Sequence, residues 1–314
     1  MSAPIELVQL GLAAERFRKG GSKEYHGPCP FCGGRDRFIV WTDRDWPHWF
    51  WLCRKCGRDG WADELNPRLK EELTPELKAE YARSRRAAEQ ARDGERRSAL
   101  ERFSTREIWK EFHQRMTFEN REWWNSQGIP ADWQDFWKLG YLPEKIFEQD
   151  GQPFTRAAYT IPKFDLRWAP KNIDYRIVDP PPGVGKYRPA PGLPACAFLS
   201  LPFRKEIDDE VFIVEGSKKA MVLTCKKALP CKDHPFVIGL PGCASWAGVE
   251  ERVKESGRVW VMLDPGAEDW AGKLARAVGR AARVVTLEMK PDDMVLAGAE
   301  LRDFTARLRQ ARVP

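Results

Sequence analysis

From Asp208 onward, apolar runs and amphipathic stretches alternate with a regularity the rest of the chain lacks. "VFIVEG", "FVIGLPG", "VWVMLDPG" and "RVVTLEM" are short apolar runs rich in β-branched residues, and they read as four buried strands. Between them, "SKKAMVLTCKKA", "SWAGVEERVKES" and "EDWAGKLARAVGRAA" carry helical spacing. The last of these places Trp270, Leu274, Ala277 and Val278 on one face, and a closing helix is expected over 299–310. Strands alternating with helices predict a parallel sheet covered on both faces.

Upstream the rhythm changes. "WWNSQGIPADWQDFWKLGYLPEKI", 123–146, predicts a helix ending near Gln127-Gly128, an Ile-Pro turn and a second amphipathic helix closing at Gly140. "AYTIPKFD", "KNIDYRIVDPP" and "GKYRPAPGL", 158–193, read as short strands with turns. Between about Asn66 and Met116, helix formers and mixed charge dominate. Leu65, Leu69 and Leu73 fall at helical spacing, as do Leu77 and Tyr81, with a turn near Thr74-Pro75. This stretch reads as a solvated helical connector. Its arginines would also suit a helix lying on DNA, but the interspersed acids favour solvent. At the N-terminus, "RFIVW" and "HWFWL" have the aromatic and β-branched make-up of a ribbon of strands. The expected fold class is multidomain α/β: a small β ribbon over 1–65, a helical connector over 66–116, and a mixed α/β core whose first part is 117–206 and whose parallel sheet is 207–314.

Composition narrows the picture modestly. The 314 residues suffice for two or three domains, each with its own core. No apolar run approaches the ~18 residues of a membrane helix, and "MSAPIELVQLGLAAERF" lacks the basic start and apolar centre of a signal peptide. The expected compartment is therefore the cytoplasm, with no membrane partner. Lys and Arg number 52 against 46 Asp and Glu, a net +6 that is compatible with nucleic acid without requiring it.

The eight cysteines change the picture more. Cys29-x2-Cys32 and Cys53-x2-Cys56 are tight pairs separated by twenty residues. Two such knuckles, with Gly33, Gly34 and Gly57 just beyond them, make a closed four-thiolate site for structural zinc. Four thiolates complete the coordination, so His26 and His48 are expected at the surface or in hairpins. Arg35, Arg37, Arg44, Arg54, Lys55 and Arg58 lie among Trp41, Trp46, Trp49, Trp51 and Trp61. Cations hold phosphates and aromatic faces stack on unpaired bases. Arg35, Arg37, Arg54, Lys55, Trp49 and Trp51 are therefore the nucleic-acid candidates. Each tryptophan, taken singly, has a second reading as core of a tiny ribbon. "HGPCPFCGGRDRF…WLCRKCG.DG" resembles the zinc ribbon at the N-terminus of bacteriophage and plasmid DNA primases, with Gly-Gly-x-Asp-Arg-Phe its most specific part. The resemblance implies that the ribbon reads single-stranded template.

Ligands of open parallel sheets bind beyond the carboxyl ends of the strands. Glu215, Asp264 and the Asp292-Asp293 pair are all expected just past strand ends, converging on one edge. Divalent cations would relieve their mutual repulsion, and hard oxygen ligands favour Mg²⁺ or Mn²⁺. Taken in order, "hhhhEG…hhhhD…KPDD" resembles the TOPRIM domain of bacterial-type primases, topoisomerases and some nucleases; with the ribbon, it selects primase. The resemblance implies templated transfer of nucleotides from nucleoside triphosphates onto a 3′-hydroxyl. Glu215 would be a metal ligand or the general base. An "IP-x-x-D…R…KYR" order, also similar to the primase core, makes Arg176, Lys186 and Arg188 candidates for gripping phosphates, with Lys218 a further one. The family pattern expects Asp-x-Asp-x-x-Gly where this chain has Asp264-Pro265-Gly266. Glu268 or Asp269 could fill the second acidic position, or simply begin a helix.

A nuclease using the same carboxylates, or a single-strand-binding replication accessory with a decayed site, are the alternatives. A replicative helicase is a possible partner. "PGVGKY", 182–187, only ends like a phosphate loop: Pro180 and Tyr187 stand where Gly and Ser or Thr belong, and no helix should follow. Cys196, Cys225, Cys231 and Cys243 are irregularly spaced and are expected to be reduced thiols. A second metal site on Cys225, Cys231, His234 and Cys243 is the weaker alternative.

Overall fold

The computed structural model describes residues 5–21, 23–42, 49–54, 56, 58–67, 75–149, 152–193, 195–202, 210–231, 233–246 and 248–313. Arg44, Trp46, His48, Lys55, Gly57, Leu69, Leu73 and Thr74 lie outside them. The chain divides into two compact units, Met1–Glu95 and Arg96–Pro314.

In the first unit, β1 (Arg18–Gly21), β2 (Glu24–Cys29), β3 (Gly33–Trp41), β4 (Phe50–Cys53) and β5 (Asp59–Trp61) form one antiparallel sheet in sequence order. So small a sheet buries little aliphatic surface, and its interior is aromatic: Phe38, Trp51 and Trp61 are fully enclosed. Two short helices, α1 (Ile5–Gln9) and α2 (Ala62–Leu65), accompany it. Helix α3 (Pro75–Arg106) mixes acidic and basic residues along its whole length, with alanine and serine between them. Its described side chains up to Arg97 are exposed or half-buried, as mixed charge without an apolar stripe requires.

The second unit opens with α4 (Ile108–Gln114), α5 (Phe118–Ser126) and α6 (Ala131–Phe136). Thr117 and Asn120 cap the start of α5 reciprocally. Gln134, wholly buried in α6, donates to the carbonyls of Arg121 and Ile129 and to Asn125 Oδ1, and so fixes the helical pair. Next come β6 (Gly140–Gln149), β7 (Gln152–Phe164), β8 (Pro170–Ile177) and β9 (Tyr187–Pro189), an antiparallel sheet in sequence order. Residues 182–186 run as turn and loop into β9, and no helix follows.

The last sheet contains β10 (Phe198–Leu199), β11 (Glu210–Glu215), β12 (Phe236–Leu240), β13 (Arg258–Met262) and β14 (Ala282–Val284), in the order β10-β12-β11-β13-β14. The four predicted strands are parallel, and β10 adds an antiparallel edge the sequence pattern had not distinguished. Helix α7 (Ser217–Cys225) follows β11. Helices α8 (Val249–Val253), α9 (Glu268–Val278), α10 (Pro291–Leu296) and α11 (Leu301–Arg309) follow in turn. Ala220, Met221, Val222 and Leu223 of α7 pack on one face of the sheet with Phe212, Trp260 and Met262. Ala271, Leu274, Ala275 and Val278 of α9 pack on the other with Val211, Ile213 and Val261. Each such side chain, fully buried, contributes about 1.5–3 kcal/mol if large. One expectation is corrected: Asp292 and Asp293 do not follow a strand but open α10, because Pro291 is preset for the first position of a helix.

The turn out of β11 sets the geometry of everything beyond it. Gly216 has φ +92°, a conformation that L side chains rarely adopt. Across from it, a Cβ added to Gly239 would stand 2.6 Å from the Gly216 carbonyl oxygen. Gly239→Ala should therefore destabilise the second unit by about 1–3 kcal/mol through backbone overpacking, read as a lower urea midpoint.

Candidate active site and zinc centre

In the ribbon, the four predicted thiols meet. Among the described residues, Cys29, Cys32, Cys53 and Cys56 are the one group of three or more His, Cys, Asp or Glu side chains whose ligand atoms lie within 4.8 Å of one another. Cys29 Sγ is 4.0 Å from Cys56 Sγ, and Cys32 Sγ is 3.6 Å from Cys53 Sγ. A tetrahedron with Zn–S bonds near 2.3 Å has edges of about 3.8 Å, so these sulfurs fit zinc. The backbone N–H of Phe31 donates to Cys29 Sγ and that of Cys56 to Cys53 Sγ, as in a knuckle that stabilises thiolate charge. Burial pushes the Cys56 thiol up to about 11 and raises Cys32 as well. Zinc must displace those protons as it binds.

The surface of the ribbon differs from the expectation. Trp49 and Trp51, candidates for base stacking, are only 8% and 3% exposed. Trp51 lies against Phe31 and Phe38 and donates its indole N–H to the Trp61 carbonyl. This corrects their assignment, since a five-stranded ribbon has few other side chains with which to build an interior. Arg35, Arg37, Arg54 and Arg58 are exposed, and Lys55 lies outside the described residues. Among the described aromatic rings of the ribbon, Phe31 is the exposed one, with the Arg58 guanidinium 5.2 Å over it, while Phe17, Trp41 and Phe50 are half-buried. His26 lies in β2 of the β2–β3 hairpin, one of its two expected places, but is buried there and contacts Glu24, which also accepts from Trp41.

In the second unit, α7 follows β11 on one face of the sheet and α9 follows β13 on the other, and a crevice opens beyond the ends of β11 and β12, lined there by Glu215, Leu240 and Pro241. Glu215 ends β11, and Asp264 lies two residues beyond β13. The cleft, beside Glu215, has a volume of about 430 Å³. Glu215, Asp292, Asp293 and Asp174 line it as acids; Arg176, Lys186, Lys218, Lys219 and Lys290 line it as cations. Asp264 stands behind Lys219, whose ammonium is 3.1 Å from its Oδ2. Lys218 lies 3.0 Å from Asp292 Oδ2 and donates to Gln127 Oε1 at 3.0 Å, which ties the helical pair to the cleft. The Oδ1 atoms of Asp264 and Asp292 are both buried without a hydrogen-bond partner. Orphaned carboxylate oxygens suit hard divalent ions.

Of the four predicted phosphate-gripping cations, Arg176, Lys186 and Lys218 line the cleft. Arg188 does not. Arg176 and Tyr187 are register partners across β8 and β9, whereas Arg188 pairs with Tyr175. Successive strand residues face opposite sides, and Arg188 accordingly donates to Gln149. Arg176 is held over the Trp123 ring at 4.2 Å, and Trp123 is stacked on Tyr159 at 4.0 Å. Glu268 accepts from the Gly266 N–H at 2.9 Å and, like Asp269, is an exposed residue of the first turn of α9. Cys225 is a half-buried thiol that donates to the Gly128 carbonyl, its pKa pushed up to about 12 by desolvation.

Sequence reasoning missed Asp174, Lys163 and Lys219. Lys163 is 2% exposed, and its ammonium lies 2.7 Å from Asp174 Oδ2 while also donating to the Cys196 carbonyl. Asp174 in turn accepts from Ser217 Oγ at 3.3 Å, at the start of α7. The signal was available: Asp174 stands two residues before Arg176, on the same face of β8.

Residues 24–65 match the family described as the zinc-binding domain of primase-helicase. The whole structure is similar to the zinc-binding and RNA polymerase domains of the Aquifex aeolicus primase: TM-score 0.52 and 17% identity, covering 99% of this chain and 86% of that one. It is also similar to a DnaG primase catalytic domain bound to single-stranded DNA (TM-score 0.55, 15% identity, 69% and 83% covered). A third similar structure is the E. coli primase catalytic core (TM-score 0.51, 14% identity, 65% and 78% covered). No curated protein matches the chain by sequence. The N-terminal segment is thus a zinc ribbon of the primase type, and the fold of the remainder is that of a bacterial primase core. Among the described residues, no helix is long and apolar enough to cross a membrane.

Cys53→Ser should abolish the bound zinc and unfold the antiparallel sheet of the ribbon, seen as loss of zinc by metal analysis with a far-ultraviolet dichroism change. Lys163→Met should leave Asp174 as an uncompensated buried charge, costing about 3–5 kcal/mol in chemical denaturation, much of it recovered when Asp174 is replaced by Leu as well.

Proposed function

We propose that this chain is a DNA-dependent RNA primase, which synthesises short primers on single-stranded DNA by nucleotidyl transfer in the cytoplasm of a bacterial cell or phage-infected host. The observation that carries this reading is the cleft at the strand ends, where acids and cations face the same volume. A nucleoside triphosphate and its counter-ions demand that mixture: phosphate oxygens need fixed cations, and divalent ions need carboxylate oxygen. The primase-type ribbon supports a template that is single-stranded.

In this reading a primer 3′-hydroxyl attacks the α-phosphate of the incoming nucleotide, the bond from that phosphorus to the bridging oxygen breaks, and pyrophosphate leaves. Carboxylates among Glu215, Asp264, Asp292 and Asp293 would hold divalent Mg²⁺ or Mn²⁺, which would supply Lewis-acid polarisation of the phosphate and a lower pKa for the attacking hydroxyl. Arg176 meets the triphosphate as a guanidinium already ordered on Trp123, so little rotamer entropy is lost on binding. Lys186, Lys218 and Lys290 neutralise the remaining phosphate charge. Glu215 takes either a share of the ion or the hydroxyl proton. Asp174, neutralised by Lys163, holds the start of α7 through Ser217 and thereby positions Glu215 and the two lysines after it.

In the ribbon, the four cysteines hold zinc in a structural role, with no open coordination position for chemistry. Exposed Arg35, Arg37, Arg54 and Arg58, with Phe31 beside them, offer phosphate contacts and one stacking face to a single strand. A replicative helicase is the natural partner of such an activity.

The test uses purified protein, a single-stranded template, labelled ribonucleotides and Mg²⁺ or Mn²⁺. Short templated oligomers are the expected product; a shortened template would replace this reading with a nuclease, and a mobility shift alone with a binding accessory. Asp292→Asn should lower oligomer synthesis by about 100-fold, while Arg188→Ala, which leaves the cleft wall unchanged, should stay within about threefold.

A further inference from the structure

The acids that line the cleft come from different elements. Glu215 ends β11, and Asp292 and Asp293 open α10, whereas Asp174 lies on β8 in the antiparallel sheet. The charge of Asp174 is already met from behind. Lys163 is 2% exposed and does not line the cleft, yet its ammonium stands 2.7 Å from Asp174 Oδ2. That ammonium also donates to the Cys196 carbonyl at 2.9 Å, and Ser217 Oγ donates to Asp174 Oδ2 at 3.3 Å.

An ammonium so deeply enclosed cannot withdraw from Asp174 without becoming an uncompensated buried charge. Asp174 is therefore unsuited to a divalent ion, which the same ammonium would repel. Both donors reach Oδ2, so Oδ1 is the oxygen left for a ligand. Among the described residues nothing donates to it, and unlike the Oδ1 atoms of Asp264 and Asp292 it is not shut away from solvent. A neutralised carboxylate with one oxygen fixed and one open acts as a hydrogen-bond acceptor more than as a charge. Phosphate oxygens are acceptors too and gain nothing from it. The donors that a nucleoside triphosphate carries close to its phosphates are the hydroxyls of its sugar. Arg176 stands two residues along the same face of β8, about 7 Å away. A nucleotide with its phosphates at Arg176 thus brings its sugar within range of Asp174.

We propose that Asp174 Oδ1 accepts a hydrogen bond from the 2′-hydroxyl of the bound nucleotide, so that the cleft selects ribonucleotides over deoxyribonucleotides. The inference rests on the nucleotidyl-transfer reading above and names the substrate class of that site. The 3′-hydroxyl is the group each added nucleotide must present for the next attack, which leaves the 2′-hydroxyl as the one to be held. Acidic side chains hold ribose 2′-hydroxyls in this way at dinucleotide sites, and this hydroxyl is what lets a protein tell RNA from DNA. Lys163 makes such an acceptor tolerable beside a triphosphate, whose charge a bare carboxylate would repel.

The test is calorimetric titration of the full chain, zinc-loaded and in Mg²⁺, with ATP, 2′-deoxyATP and 3′-deoxyATP. Wild type should bind ATP at least about tenfold tighter than 2′-deoxyATP, and 3′-deoxyATP within about threefold of ATP. Ser217→Ala removes the anchor to α7 but leaves Oδ1 in place, so the preference for ATP over 2′-deoxyATP should persist. Lys163→Met combined with Asp174→Leu replaces the buried pair by apolar groups and should bring that preference to within about twofold of none. A role confined to positioning α7 would weaken both nucleotides equally and leave the preference standing. Equal binding of ATP and 2′-deoxyATP by wild type, discrimination through the 3′-hydroxyl instead, or an unchanged preference in the double variant would overturn the inference alone. The first two of these outcomes are read on wild type and need no variant to fold. No binding of any of the three nucleotides by wild type would overturn the nucleotidyl-transfer reading as well.

Discussion

The helices after β11 and β13 leave the sheet on opposite faces, and the cleft exists because they do. Backbone from the two connections cannot close over the strand ends from one side, so a crevice remains beside Glu215, with Leu240 and Pro241 at the end of β12 as its neighbouring wall. That arrangement depends on one close backbone approach, in which the Gly216 carbonyl passes so near Gly239 that no side chain fits between them. Without that approach the first turn of α7 would move outward, carrying Ser217, Lys218 and Lys219 away from the carboxylates they meet.

Electrostatics then organises what packing has opened. The acids of the cleft are not left to repel one another, for lysines pair with Asp264, Asp292 and Asp174 within 2.7–3.1 Å. Lys163 and Asp174 form the deepest of these pairs and secure the antiparallel sheet to the start of α7 through Ser217. Arg176 lies on the same face of β8 as Asp174, held by Trp123 from the helical pair. Three parts of the second unit therefore converge on one volume: the helical pair through Gln127 and Trp123, the antiparallel sheet through Asp174 and Arg176, and the parallel sheet through Glu215.

Much of this was legible in the sequence where the signal is local. Cys29-x2-Cys32 and Cys53-x2-Cys56 bring sulfurs together because each knuckle is a tight turn and the intervening hairpin is short. The apolar runs from 210 onward had to be buried strands, and Gly216, Pro241 and Pro265 lie just past the ends of three of them. Side-chain direction was harder to read. Arg176 and Arg188 look alike as basic residues near strand ends, yet register places one in the cleft and the other on the opposite face. Trp49 and Trp51 carry the composition of a stacking surface but are needed as the interior of a ribbon too small to have another.

The sequence by itself determined the zinc ligands, the class of each element and the set of acids at one sheet edge, because each of these follows from spacing along the chain. Only the tertiary structure decided which charges neutralise which. Lys219 and Asp264 are 45 residues apart, Lys218 and Asp292 are 74 apart, and Asp174 and Ser217 are 43 apart. No local periodicity connects such positions; strand order, register and the two opposed helices bring them within hydrogen-bond reach. In "VMLDPGAEDWAG" the chain displays a lone Asp264 followed by Pro and Gly, and the fold supplies its partner as a cation from another helix.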